Sequence, residues 1–409
     1  MDIKKQISGL KEELVELRRD FHRHPEPGFQ EYRTSEIVEK YLTDLGLPVK
    51  RMAQTGVVGL LEGENHRKTP GSSLYGPTLL LRADMDALPI QEQNDIPYKS
   101  ENQGVMHACG HDAHVAMLLV AAKVLMGCKQ EIPGNIKFVF QPNEETAGAE
   151  KMINEGVMEN PRVDAAMAVH IWSLIESGKI GTQEGPVTGT LDVFNLLVKG
   201  KGGHTGFPEA TVDPILTSAS IIQAVQAIQT RQISPLKPTI LMFGKISGGT
   251  KSNIVPDQVS LEGTLRYLYR GGSQSQERPV QRFENIVKHT CEMYGADYQL
   301  EVNTENKAVF NDGAMAALAK RTAEQVLGKS ENVLSYSCTA AEDFSEYAAM
   351  VPSVFSFVGT GNKQKKTDYP HHNPRFNIDE DTMPLGVEMH VRGALNYFRE
   401  KPKQKGGDG

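Results

Sequence analysis

Apolar residues near the start of the chain recur at Ile3, Ile7, Leu10, Leu14, Leu17 and Phe21, in steps of three and four. That spacing keeps them on one helical face and predicts an amphipathic helix belonging to the fold. Short, nearly continuous apolar runs follow at 78–83, 136–141, 165–169 and 354–358. Such runs predict strands buried on both faces. Helical stretches separate the first three, and 115–126 is apolar on nearly every side. Buried strands alternating with helices predict an α/β sheet covered on both faces. Each run leads into polar or glycine-rich residues: Asp84 and Asp86, Glu144 and Glu145, His170, and the stretch 359–361. Open α/β sheets bind ligands beyond the carboxyl ends of their strands, so four such endings predict one shared site.

The middle third has a different rhythm. A strand at 191–199 is followed by a helix from about 213, with Ile215, Ile222, Val225 and Ile228 inside it. Strands at 239–246 and 258–266, a helix at 277–293 and a strand at 297–303 complete a βαββαβ order. That order predicts an α+β, ferredoxin-like split βαβ unit. The chain therefore reads as a discontinuous α/β domain, 1–187 plus 307–400, with an inserted domain at 188–306. Residues 63–76 read as a surface excursion and 401–409 as a flexible tail.

The 409 residues comfortably accommodate two domains. A hydrophobic share of 39% with 23% charged residues excludes wholesale disorder. A net charge of −7 lacks the footprint of a nucleic-acid binder. No apolar run reaches the ~20 residues of a membrane helix, and no apolar signal core opens the sequence. The four cysteines, Cys109, Cys128, Cys291 and Cys338, form no C-x-x-C pair. Reduced thiols in a cytoplasmic protein are the expectation.

Chemistry concentrates in Met106-His107-Ala108-Cys109-Gly110-His111-Asp112-Ala113-His114. Gly110 permits a tight turn, and Asp112 is placed to cap a helix beginning near Ala113. A thiolate and an imidazole, Cys109 and His111, suit zinc or another late first-row metal. A catalytic Cys–His pair and a simple polar turn are the competing readings. The second element is Glu144-Glu145 directly after a buried strand. Adjacent side chains point differently, so one can bind metal while the other accepts a proton. Acids in the first turn of a helix are the bland alternative. His170 and His372 alone would read as a core and a solvated histidine. Together, Cys109, His111, Glu145, His170 and His372 make five donors, which suits two metals sharing a thiolate.

These motifs resemble the metallo-amidohydrolase branch of the aminoacylase/carboxypeptidase family. The resemblance runs through Asp20-Phe-His22-Arg-His24-Pro-Glu26, Leu81-Arg82-Ala-Asp84-Met-Asp86-Ala-Leu-Pro89 and His107-Ala-Cys109-Gly-His111-Asp-Ala-His114. It continues in Gln141-Pro-Asn-Glu144-Glu145, Gly200-Lys-Gly-Gly-His204, Ser252-Asn253-Ile-Val-Pro256, Gly263-Thr-Leu-Arg266 and Glu342-Asp343-Phe344. It implies a zinc-peptidase-like catalytic domain with a mixed sheet, and an inserted domain that serves as lid and dimer contact. It implies a homodimer or higher homo-oligomer acting on a small N-acyl amino acid, with no nucleic acid or membrane partner.

The resemblance also implies roles. Cys109 would bridge two divalent ions, zinc or alternatively manganese, cobalt or nickel, with His111, Glu145, His170 and His372 completing the ligands. Glu144 would be the general base, and His204 would meet the developing oxyanion. Asn253 and Arg266 would hold the substrate carboxylate, and Asp84, Asp86 and Asp112 would orient ligands from behind. His22 and His24 are expected to pack the first helix, and His107 and His114 to be supporting or structural. Cys128, Cys291 and Cys338 read as small core residues. Family members usually carry a second histidine where this chain has Glu209, which points to a different acyl or side-chain preference. A metallo-carboxypeptidase or dipeptidase on the same site is the alternative activity. A cysteine hydrolase using Cys109, and a ligand-sensing binding protein, are the other classes.

Overall fold

The structure is a computed structural model that describes residues 2–65, 76–271 and 275–400. The excursion expected at 63–76 falls mostly, and the tail at 401–409 wholly, outside the described residues. The chain divides into two compact units. The first takes Met1–Val187, Phe310–Ser337 and Asp343–Gly409, and the second takes Thr188–Val309 and Cys338–Glu342.

The first unit is built on an eight-stranded mixed sheet. Its order is Val49–Met52, Gly56–Glu62, Asn135–Gln141, Thr78–Asp84, Ala165–Glu176, Ser353–Gly361, Ile180–Gly181 and Val333–Leu334. The four central strands run parallel, and antiparallel pairs flank them. Three central strands are buried along their full length. Even Lys137 is buried, its Nζ donating to the carbonyls of Val157 (2.8 Å) and Glu159.

The strand expected to stop at His170 instead runs on to Glu176, so His170 stands within it. The extension pairs with Ser353–Gly361 as far as Glu176 opposite Gly361. Polar residues interrupt the apolar run there, which hides the continuation from a hydrophobicity reading. At the N-terminus the expected single helix is two, Ile3–Gly9 and Lys11–Arg23, with Leu10 between them. Ile3, Ile7, Leu14 and Phe21 are still buried in one core, because the break does not disturb the phase of the apolar face.

The helix His111–Met126 lies at the centre of this unit. All its residues are buried except Lys123 and Met126. It packs against Lys11–Arg23, Thr78–Asp84 and Met383–Arg399. Each fully buried Leu, Val or Met on it contributes roughly 1.5–3 kcal/mol. A helix buried on every side is a rigid base for whatever its first residue carries.

The second unit holds an antiparallel sheet ordered Thr239–Gly248, Gln258–Tyr267, Thr190–Lys199 and Asp297–Asn306. Burial alternates along Thr190–Lys199 and Gln258–Tyr267, as expected for strands with one covered face. Phe194, Leu196, Val198 and Leu261 form its core with Ile221 of the helix Pro214–Ala224 and Phe283 and Val287 of the helix Pro279–Tyr294. The first of these helices ends before Val225 and Ile228, and Ile215 is exposed. The segment Cys338–Glu342 groups with this unit. Gly189 N–H donates to the Ala340 carbonyl (2.8 Å), and Arg266 Nη1 to that of Thr339 (3.1 Å).

Candidate metal centre

Two elements of the first unit deliver the cluster's most constrained donors. Gly110 adopts a left-handed conformation (φ 95) and starts the helix at His111. A side chain there would strike Ile171, since a Cβ would lie 2.3 Å from its Cδ1. Glycine is thus demanded twice, by backbone and by space. Cys109 precedes the turn and His111 follows it.

Asp112 does not cap this helix, contrary to expectation. The helix begins two residues before Ala113, so Asp112 lies inside its first turn and Gly110 holds the N-cap position. Its carboxylate turns back to accept from Arg18 Nε and His22 Nδ1, both at 2.8 Å. Burial alone would raise its pKa, but Arg18 and His22 outweigh that and hold it well below the usual carboxylate range. His22 also faces Glu92 Oε1 at 3.2 Å, so this histidine ties the helix Lys11–Arg23 to both Asp112 and Glu92. His24 Nδ1 bonds the Asp20 carbonyl of its own helix (2.8 Å), and its Nε2 lies 3.6 Å from Glu101 Oε2.

His111 and His170 are each oriented through Nδ1. His111 Nδ1 donates to the Asp86 carbonyl (2.8 Å), which leaves Nε2 buried and without a hydrogen-bond partner among the described residues. His170 Nδ1 donates to the Ile171 carbonyl (2.6 Å), and its Nε2 stands 3.7 Å from Cys109 Sγ. His114 is different, because both its nitrogens are used. Nδ1 donates to Asp84 Oδ1 (2.6 Å), and Nε2 accepts from Ile171 N–H (2.9 Å). His114 therefore grips the N–H of the same residue, Ile171, whose carbonyl orients His170. Asp84 is shared with Arg82, which reaches Asp343 as well.

Glu144 and Glu145 open a short turn, Glu144–Thr146, after the strand Asn135–Gln141. The Asp86 carboxylate accepts both of their amide N–H groups, at 2.9 and 3.1 Å. Asp86 thus orients His111 through its carbonyl and the two acids through its side chain.

The donors converge in two sets. Ligand atoms of Cys109, His111 and His170 lie within 4.8 Å of one another, and so do those of Cys109, Glu145 and His372. Cys109 Sγ is common to both. Glu144 falls in a further group with His111 and Glu145, its Oε2 4.0 Å from His111 Nε2. Burial opposes charge on His111, yet Asp84 and Cys109 outweigh it and hold the ring well above its ordinary range. Hydrogen bonds to Cys109 and Glu145 push His372 up to about 10. Both shifts come from anionic groups crowding imidazoles, and a cation brought among them relieves the same crowding. A thiol, imidazoles and a carboxylate around an orphaned buried nitrogen fit late first-row metals.

One residue in the cluster was not singled out from the sequence. His371 places Nδ1 3.7 Å from Cys109 Sγ, accepts from Ser173 N–H (3.3 Å) and stacks on Trp172 at 4.2 Å. Burial pushes its pKa down to about 3. Its only sequence signal was adjacency to His372.

His204, Asn253 and Arg266 belong to the second unit. The ladder there pairs His204 with Ile254, and Thr205 N–H donates to the Asn253 carbonyl (3.3 Å), so His204 and Asn253 are neighbours. His204 Nδ1 accepts from Gly206 N–H (2.9 Å), which places the proton of the neutral ring on exposed Nε2. Arg266 is half-buried, and burial lowers its pKa. Glu209 is exposed in the turn Pro208–Ala210.

A model of peptidase family M20/M25/M40 matches residues 80–396. The chain belongs to this family. It is therefore a metallohydrolase acting on amide bonds. Thermostable carboxypeptidase 1 of Saccharolobus solfataricus is 37% identical over 97% of this chain and 98% of its own length. IAA-amino acid hydrolase ILR1-like 4 of Arabidopsis thaliana is 35% identical over 95% of this chain and 86% of its own. Among solved M20 structures, a dinuclear metal-binding peptidase of Bacillus subtilis superposes with a TM-score of 0.82 at 28% identity. That match covers 96% of this chain and 99% of the other.

Proposed function

We propose that the chain is a dimetal amidohydrolase that splits an N-acyl amino acid into a carboxylic acid and a free amino acid. The observation that carries this is the pair of donor sets sharing Cys109 Sγ, with the Glu144 carboxylate beside them. His111 and His170 would complete one ion's ligands, and Glu145 and His372 the other's. Zinc suits the donors best, with manganese, cobalt or nickel as alternatives. Two bound cations supply Lewis acidity at the scissile carbonyl and make water a stronger acid.

Glu144 is the general base. It takes a proton from the attacking water as the new C–O bond forms, and passes it to the amine nitrogen as the C–N bond breaks. His204, with its proton on Nε2, is suited to donate to the oxyanion. Arg266 and Asn253 suit a substrate carboxylate, where a guanidinium can bind two oxygens at once. We read the second unit as the ferredoxin-like lid and dimer contact of a cytoplasmic homodimer. Carboxypeptidase action on the same site is the second reading, supported by the name of the Saccharolobus relative.

The test is a hydrolysis screen of metal-reconstituted protein on acetyl-, benzoyl-, long-chain acyl- and indole-acetyl-amino acids, with dipeptides alongside. We expect amine release that chelation abolishes. Glu144→Ala should lose at least about 100-fold in kcat, the lower end of what proton transfer contributes, while keeping its metal. Turnover that survives chelation would instead establish a thiol enzyme, and an active Glu144→Ala would reject Glu144 as the base.

A further inference from the structure

The turn that carries Glu144 begins at Asn143, whose backbone is left-handed (φ 55). A non-glycine residue there costs of order 1 kcal/mol, so the surroundings must hold it. Three consecutive amide groups are in fact held by two carboxylates. Asp86 takes Glu144 and Glu145, as described above. The third, Asn143 N–H, donates to Glu31 Oε1 at 2.9 Å.

Glu31 comes from a distant part of the same unit, immediately ahead of the helix Tyr32–Asp44. It is completely buried. Its second oxygen accepts from Thr55 Oγ1 at 2.5 Å. Gly28 presses on the same turn from the side. A Cβ there would come within 1.9 Å of Asn143 Oδ1, the atom that accepts from Thr146 Oγ1 at 2.7 Å.

We propose that residues 28–31 form a wall that aims the catalytic turn, with Glu31 a positioning residue that sets the direction of Glu144 through the Asn143 amide. The proposal rests on the reading of Glu144 as the base. Geometry explains why an acid can serve here. Burial pushes Glu31 up to about 7, with the Asp86 charge adding to the shift against the hydrogen bonds from Thr55 and Asn143. A protonated Glu31 still accepts the Asn143 N–H through its carbonyl oxygen and can turn its O–H toward Thr55. The task is therefore a hydrogen-bond acceptor at a fixed place, not a charge. Glutamine can do it, and alanine cannot. Gly28 matters for the opposite reason, since any side chain would push Asn143 out of position.

The experiment compares Glu31→Ala, Glu31→Gln, Gly28→Ala and Glu144→Ala in the metal-reconstituted full chain. Displacement of a catalytic group by about 1 Å can cost about 100-fold, so Glu31→Ala should lose about 10- to 100-fold in kcat. KM should stay within about twofold and metal content should be unchanged. Glu31→Gln should recover to within about threefold of the parent. Gly28→Ala should mimic Glu31→Ala, and it is read even where Glu31→Ala does not fold. Hydrogen exchange over residues 141–147 should quicken in both defective variants. The proposal is overturned if Glu31→Ala or Gly28→Ala keeps the parent kcat, if Gln fails to rescue, or if KM rises while kcat holds. Glu144→Ala separates the two ideas. If it stays active, the base assignment fails by itself; if it is dead while the wall variants are normal, only the wall is rejected.

Discussion

His114 and His111 belong to one motif and one helix turn, yet they have opposite fates. His111 keeps an unclaimed nitrogen facing the donor cluster, whereas Asp84 and the Ile171 amide use both nitrogens of His114. Residue type and spacing put both in one cluster, and the neighbours show what each nitrogen does. The same limit explains what the sequence concealed. Cys109, His111, Glu144 and Glu145 are legible because they crowd into two short motifs. His170 and His372 are weak singly and count only when pooled with the other donors, and His371 and Glu31 depend on contacts between distant segments. His390 is another buried imidazole without a hydrogen-bond partner among the described residues, and burial pushes it down to about 3. In the unfolded chain it takes a proton near pH 6.5. Between pH 6.5 and 3 the unfolded chain therefore binds a proton that the folded one refuses. Stability from this group is complete above that window and falls as pH drops through it. Replacing it by leucine should flatten the decline by up to about 1.4 kcal/mol per pH unit, read from urea unfolding of metal-free protein across this range.

Among elements, those with a continuous pattern were the easiest to read. The buried strands and the all-apolar helix His111–Met126 stand where the hydrophobic runs place them, with the helix starting four residues earlier than its apolar stretch. Short strands such as Ile180–Gly181 and Val333–Leu334 were invisible, because two residues carry no periodicity. The break at Leu10 escaped for a related reason, since it leaves the apolar face in phase. Gly110 joins local chemistry to element geometry. Gly110→Ala should cost more than about 1 kcal/mol through its positive φ alone, with the Ile171 contact adding to that. Ile171 also holds His114 and receives His170 Nδ1–H, so metal content should fall together with the melting temperature. Thermal unfolding and metal analysis of the purified variant check both.

At the scale of the whole molecule, the sequence reads as an interrupted chain with an insert at 188–306, and the structure divides the chain into two units with the second at Thr188–Val309 and Cys338–Glu342. Five residues, Cys338–Glu342, return to the second unit after the chain has re-entered the first. No hydropathy change marks that excursion. A net charge of −7 said nothing of the site, where His111 and His372 are held toward the charged form by the acids around them. No helix among the described residues is long and apolar enough to cross a membrane. The shared sulfur also has a consequence for how such a protein gains and loses metal. Two sets of ligands that meet at a single atom are not independent vessels, because damage at the junction empties both. Cys109→Ser should therefore weaken both ions together, giving one transition in a chelator titration, whereas His372→Ala should release one ion and spare the other. On the proposed sharing of Cys109, oxidation of that single sulfur would silence the entire centre.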